Sequence, residues 1–220
     1  MYPSGQINMK FQESKLAHKL LDNLIGLEIG GSAHNSFGLN TLNVDYSDDM
    51  NTVFKQAEYK LCGEAMKVDI VANGDNIPVQ DESYDFIISS HVIEHIFDPI
   101  KALKEWYRII KKGGYIYTIA PITEFVPNET RPTTTLKELL QRHDGTISED
   151  IILKKVVEDN DGILGSAIIE GILYDTKHGH WTVFDLNLLL QICEYLNYKV
   201  THVQIQDDKV GNGFTVVIQK

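Results

Sequence analysis

Apolar positions along this chain follow two rhythms that alternate. Leu16, Leu20, Leu21 and Leu24 recur at helical spacing and predict an amphipathic helix over 13–24. Ile25 to Ile29 is a short apolar run entering the pair Gly30-Gly31, and Leu42-Asn43-Val44-Asp45 is a second run that ends in an acid. Ser47 is placed to cap a helix with Asp48 and Asp49 in its first turn and Met50, Val53, Phe54 and Ala57 as its buried stripe. Val68–Val71 reads as a third strand and Asn73–Pro78 as a turn. Tyr84–Ser89 reads as a fourth strand, apolar enough to be covered on both faces. Asp98-Pro99 opens a helix whose inner face is Leu103, Trp106, Tyr107 and Ile110. Lys111-Lys112-Gly113-Gly114 is expected to stop it, and Tyr115–Ala120 is a fifth strand.

Residues 121–180 interrupt this rhythm with two predicted helices, Thr135–His143 and Ser148–Glu158, and a glycine-spaced apolar stretch, Gly162–Gly171. The rhythm resumes with a helix capped by Asp185 and strands at Lys199–Ile205 and Gly213–Ile218. Strand–helix alternation predicts an α/β fold, doubly wound around a mostly parallel seven-stranded sheet. One domain is expected over 1–220, with 121–180 inserted as a helical lid, because an excursion of that size near strand ends usually covers a binding site.

The glycine turn narrows the chemistry. A strand, a glycine turn and a second strand ending in a carboxylate form a nucleoside-binding unit. The dinucleotide pattern G-x-G-x-x-G is not met, since Ser32 and Ala33 or His34 stand where further glycines belong. The link to the second strand is also too short for a full helix, so a pyrophosphate cradle is poorly supported. S-adenosylmethionine has no phosphate; Glu28 suits its ammonium and Asp45 its ribose.

Charge and composition remove other classes. A net charge of −11 and a pI near 5.1 oppose a duplex nucleic-acid partner. Cys62 and Cys193 lie far apart and fit a reducing interior. No signal-type segment and no apolar run of membrane length occurs, so a cytoplasmic protein with no membrane partner is expected.

A family resemblance rests on Glu28-Ile29-Gly30, Asp45, Gly74-Asp75-Asn76-Ile77-Pro78, Ser83-Tyr84-Asp85, Ser90-His91-Val92-Ile93-Glu94-His95-Ile96, and Arg108 through Gly113-Gly114. In that order and spacing these resemble the class I S-adenosylmethionine-dependent methyltransferases, closest to the small-molecule, type 11 branch, over about residues 25–120. The resemblance implies that Glu28, Gly30 and Gly31 line the methionine end, Asp45 and Tyr46 the ribose, and Asp75 and Asn76 the adenine. It places Ser90 and His91 between cofactor and acceptor.

One motif competes. His91-Val92-Ile93-Glu94-His95 matches H-x-x-E-H, a zinc-hydrolase pattern needing both histidines on one helix. Asp98-Pro99 restarts the backbone just beyond it, so no metal is expected there. In the insertion, Glu124, Arg131, His143, His178 and His180 form a second constellation. Imidazoles make general bases for an alcohol acceptor, so His178 or His180 is the expected base, with His91 and His143 also candidates; the two insertion histidines with Glu124 are alternatively ligands for a divalent metal. The plain alternative for Arg131 is pairing with a carboxylate. The function expected is methyl transfer to an O or N atom of a small metabolite, such as a sugar, a glycan or capsule precursor, or a phosphorylated compound. A methyltransferase-like module that binds the cofactor without turnover is the other reading.

Overall fold

The computed structural model describes residues 9–127, 129–159, 168–169, 172–173 and 179–220. Strands β1 (Gly26–Ile29), β2 (Thr41–Asp45), β3 (Ile70–Val71), β4 (Tyr84–Ser90) and β5 (Ile110–Pro121) come first. A separate hairpin, β6 (Ile168–Ile169) and β7 (Ile172–Leu173), precedes β8 (Lys199–Gln204) and β9 (Gly213–Gln219). The main sheet has seven strands in the order β3-β2-β1-β4-β5-β9-β8. β1 to β5 pair in parallel, and β9 runs antiparallel to both β5 and β8. The short link 205–212 can close a hairpin but cannot make a crossover, which is why the sheet is only mostly parallel. The doubly wound α/β fold is as the strand–helix rhythm predicts.

Among the described residues six helices accompany it: α1 (Lys15–Leu21), α2 (Val53–Cys62), α3 (Pro99–Ile109), α4 (Leu136–His143), α5 (Glu149–Asp159) and α6 (Leu186–Tyr195). One face of the sheet buries Leu27, Ile29, Ile87 and Val216 against Leu103 and Trp106 of α3, Leu139 of α4 and Ile192 of α6. The opposite face sets Phe86, Ile88, Tyr117 and Val217 against Ala17 and Leu21 of α1 and against Phe37. Each fully buried side chain of this size contributes roughly 1.5–3 kcal/mol. Residues 30–40 form no helix; Phe37 from that loop covers the sheet instead. Lys209 holds the loop down, donating to the Ser36 carbonyl at 2.6 Å with its Nζ 4.5 Å from the centre of the Phe37 ring.

Three expectations need correction. α2 is capped by Thr52, which accepts from the Lys55 amide, and Ser47 caps only a turn by accepting from Asp49. Its buried positions are Lys55, Glu58 and Cys62, while Met50 is exposed, because polar partners and not an apolar stripe dock this helix. Lys111-Lys112-Gly113-Gly114 falls inside β5. A Cβ on Gly114 would sit 2.4 Å from the Asp85 carbonyl oxygen, so glycine there serves strand approach. Finally, α4 lies within the 121–180 insertion but packs into the main core through Leu139, so that stretch is not wholly a lid.

Candidate active site

β1 and β2 end side by side, with Glu28 paired to Asn43 in register. Gly30 turns the chain in the left-handed region at φ 64, and a Cβ there would come 2.7 Å from Val92. The turn thus seats on the segment after β4. The next turn residues are fixed too: Gly31 donates to Asn43 Oδ1 at 2.9 Å and the Ala33 amide donates to Glu58. Glu28 points back beneath this turn and accepts from Thr41 Oγ1 at 3.2 Å. It is 4% exposed, and burial pushes its carboxyl up to about 7 against the Thr41 hydrogen bond and Lys209. Asp45 holds the tip of β2, where Lys55 Nζ approaches it at 3.6 Å and the Tyr46 amide donates to it at 2.8 Å. Burial raises its carboxyl, with Lys55 opposing.

The turn after β3 is built by α3. Trp106 Nε1 donates to the Gly74 carbonyl at 2.7 Å, and Glu105 accepts from the Ile77 amide at 2.8 Å. Arg108 donates to the Ile77 and Val79 carbonyls and to Glu105 and Asp81. These bonds give Arg108 a structural reason to stand where it does. Asp75 is half-buried and receives Lys101 at 2.9 Å; Asn76 is exposed beside it.

β4 ends at Ser90, whose hydroxyl accepts from Asn35 at 3.2 Å. His91 adopts φ 56, uncommon for a residue with a Cβ, and leads into a 3-10 turn, Ile93–His95. The helix that the H-x-x-E-H reading requires is therefore not formed. Glu94 is fully buried, and three imidazole nitrogens converge on its Oε1: His91 Nδ1 at 3.6 Å, His180 Nε2 at 3.8 Å and His95 Nε2 at 4.0 Å. These separations are too long for hydrogen bonds. Burial alone would raise the Glu94 carboxyl, but the three rings outweigh it and hold it well below the usual range. Burial and then His95 push the His180 imidazole down to about 3, a poor resting proton acceptor.

Three ties bring His180 here from a distant part of the chain. Thr182 donates its amide to the Glu94 carbonyl at 3.1 Å. Arg142, buried beside Glu138, donates to Phe97 O, Trp181 O and Thr182 Oγ1 at 3.1–3.3 Å. Arg131 grips both oxygens of Glu129 and donates to the His180 carbonyl at 2.8 Å, so the plain pairing role describes it.

The histidine cluster lines a cavity of about 270 Å³, together with Phe54 of α2, Pro121 at the end of β5, Phe125, Val126 and Pro127 of the insertion, and Asn212 of the β8–β9 turn. Aromatic contacts run from Tyr46 through Phe54 and His95 to His180, the last pair 4.6 Å between ring centres. His143 is elsewhere. Lys104 donates to its Nε2 and its Nδ1 meets Asp98 at 2.8 Å, so it ties α4 to α3. Glu124 is exposed and outside the lining, and His178 lies outside the described residues. Phe54, Pro121, Phe125 and Asn212 were not singled out for the site from the sequence.

Residues 27–118 match the model of a methyltransferase domain, which takes in β1 to β4, the Glu94 turn and most of β5. Over that segment, which is under half of its length, the chain is similar to a methyltransferase domain. An uncharacterized protein of Methanocaldococcus jannaschii is 32% identical over 94 residues, 41% of this chain and 42% of that protein. A demethylmenaquinone methyltransferase of Clavibacter sepedonicus is 27% identical over 109 residues, 50% of this chain and 43% of its own length. These matches thus span less than half of each relative. In fold, an S-adenosylmethionine-dependent methyltransferase structure from Methanosarcina mazei aligns with TM-score 0.54 at 14% identity, over 94% of this chain and 97% of that one. The strand order therefore agrees with a methyltransferase fold along nearly the whole chain, whereas the sequence match stops short of the insertion. Among the described residues no helix is long and apolar enough to cross a membrane.

Proposed function

We propose that this methyltransferase domain moves the sulfonium methyl of S-adenosylmethionine to an oxygen or nitrogen atom of a small molecule held in the histidine-lined cavity. The observation that carries this reading is the cavity's position. It opens beyond the carboxyl ends of β4 and β5, directly after Ser90 and His91, and the insertion walls its far side with Phe125, Val126, Pro127 and His180. The strand-end groups fit a nucleoside. Asp45 takes the ribose beside Tyr46, Asp75 and Asn76 take the adenine on the turn braced by α3, and Gly30 and Gly31 leave the backbone accessible to the methionine end. Glu28 supports that turn from beneath.

Bound S-adenosylmethionine supplies a methyl already activated by positive sulfur, so the chain's work is alignment and exclusion of water. Phe54, Pro121 and Phe125 provide apolar walls. An alcohol acceptor also has to lose a proton. His91, which lines the cavity and whose buried Nε2 makes no hydrogen bond among the described residues, is the acceptor we assign in place of His180. About 270 Å³ suits a small polar molecule or the end of a larger one, and the described lining carries no lysine or arginine. That favours a hydroxyl- or amine-bearing acceptor, such as a sugar-like or glycan precursor, over a phosphorylated one.

Calorimetry tests the assignment. The wild-type chain is expected to bind S-adenosylmethionine and its demethylated product and not NAD. Asp45→Ala should lose roughly 10–100-fold in affinity, since a charged hydrogen bond contributes about 1.5–3 kcal/mol. Unchanged affinity in Asp45→Ala overturns the ribose assignment, and no binding by the wild type overturns the function.

A further inference from the structure

We infer that Glu94, His95 and His180 form a divalent transition-metal site of the two-histidine, one-carboxylate kind, open toward the cavity. Ligand-capable atoms of the three lie within 4.8 Å of one another. Glu94 is the independent observation. It is fully buried, and neither carboxylate oxygen has a hydrogen-bond partner among the described residues. A buried carboxylate met only by imidazoles beyond hydrogen-bond distance is costly, and such groups are usually paired or bound to a cation. His95 Nε2 and His180 Nε2 both face Oε1, at 4.0 and 3.8 Å. Metal–ligand bonds of about 2.0–2.2 Å at tetrahedral angles separate ligand atoms by roughly 3.4 Å. The two Glu94 pairs need to contract by about half an ångström, and the three ligand atoms, within 4.8 Å of one another, by at most about 1.4 Å, to enclose an ion where the side chains already converge.

The donor set selects the ion. Two imidazoles and a carboxylate suit zinc, iron(II), cobalt(II) or nickel(II) better than magnesium or calcium, which prefer all-oxygen shells. Three protein ligands leave at least one position open, as in catalytic sites and unlike closed structural ones. That position faces the cavity, whose other walls are mainly apolar: Phe54, Pro121, Phe125, Val126 and Pro127. The ligand completing the shell is thus a small molecule with a lone-pair oxygen or nitrogen. His91, 3.6 Å from the Glu94 oxygen, is a positioning residue for the carboxylate. The site differs from the one the H-x-x-E-H spacing suggests. There Glu94 would be the base and His91 a ligand; here Glu94 binds and His180 replaces His91. Metal binding stands without the methyl-transfer reading. Only the ion's task, holding an acceptor atom near the methyl, rests on it.

The test is titration of chelator-stripped full-length protein with Co²⁺ and Zn²⁺, followed by the visible Co²⁺ absorption and by calorimetry. One ion per chain is expected. His95→Ala and His180→Ala should each weaken binding at least 100-fold, while His18→Ala, on α1, retains it. Circular dichroism checks that the variants fold. Should either fail to fold, His180→Asn and the wild-type stoichiometry decide. Absence of stoichiometric binding by the wild type, or full retention in both alanine variants, overturns the site. S-adenosylmethionine binding is measured on the same stripped protein. Cofactor binding without metal binding sinks only this inference, and metal binding without cofactor binding sinks only the methyl-transfer reading.

Discussion

Replacing Glu28 by glutamine should stabilise this protein, and the gain should depend on pH. Glu28 is 4% exposed and lies beneath the Gly30-Gly31 turn, with Thr41 as its hydrogen-bond donor. Burial raises its carboxyl from 4.5 to about 7, so the folded chain prefers the protonated form more than the unfolded chain does. Stability from this preference is fully present below pH 4.5 and is lost as pH rises through 7. The interval between the two values corresponds to about 3 kcal/mol, at 1.36 kcal/mol per pH unit. Glutamine is nearly isosteric, stays neutral, and can accept from Thr41; its extra amide hydrogens recover about 1 kcal/mol of cost if they find no acceptor. Near pH 8 the variant should therefore melt about 4–8 °C above wild type, at roughly 2–4 °C per kcal/mol for a domain of this size. Near pH 4.5 that advantage should vanish or reverse. Paired thermal melts of both proteins from pH 4.5 to 8 measure it, since other titrating groups cancel in the difference. A difference that stays flat across that range would refute the reasoning, because it would mean that Glu28 ionises in the folded chain as easily as in the unfolded one.

Arg142→Ala should cost about 3–5 kcal/mol in chemical denaturation, because it leaves Glu138 without its buried partner and releases the carbonyls of Phe97 and Trp181; a loss under 1 kcal/mol would show that these ties do not hold the His180 segment. His143→Ala should leave cofactor affinity and turnover within about two-fold and cost no more than about 1 kcal/mol, as for a partly exposed hydrogen-bonded pair. A ten-fold fall in turnover with affinity intact would return His143 to the catalytic group.

The sequence by itself determined the architecture. Period-two and period-3.6 patterns located β1, β2, β4, β5, α1, α3, α4 and α6 to within a few residues, because their apolar faces are continuous and their caps are local. Asp98, Thr135 and Asp185 each accept from an amide three residues on, which is chemistry readable within four residues. The glycine turn, Asp45, and the Ser90-His91 strand end were legible for the same reason. α2 was misread because it docks through Lys55 and Glu58, whose partners Asp45, Met66 and Ala33 are separate in sequence and produce no periodic signal. The histidine cluster was hidden more deeply. H-x-x-E-H suggested a helical pair, but a left-handed His91 and a 3-10 turn break that geometry. Which imidazole joins Glu94 and His95 depends on Thr182 and Arg142 folding the returning chain against the turn. Contacts between residues so far apart are set by packing of α3, α4 and the returning segment, and no local pattern encodes them.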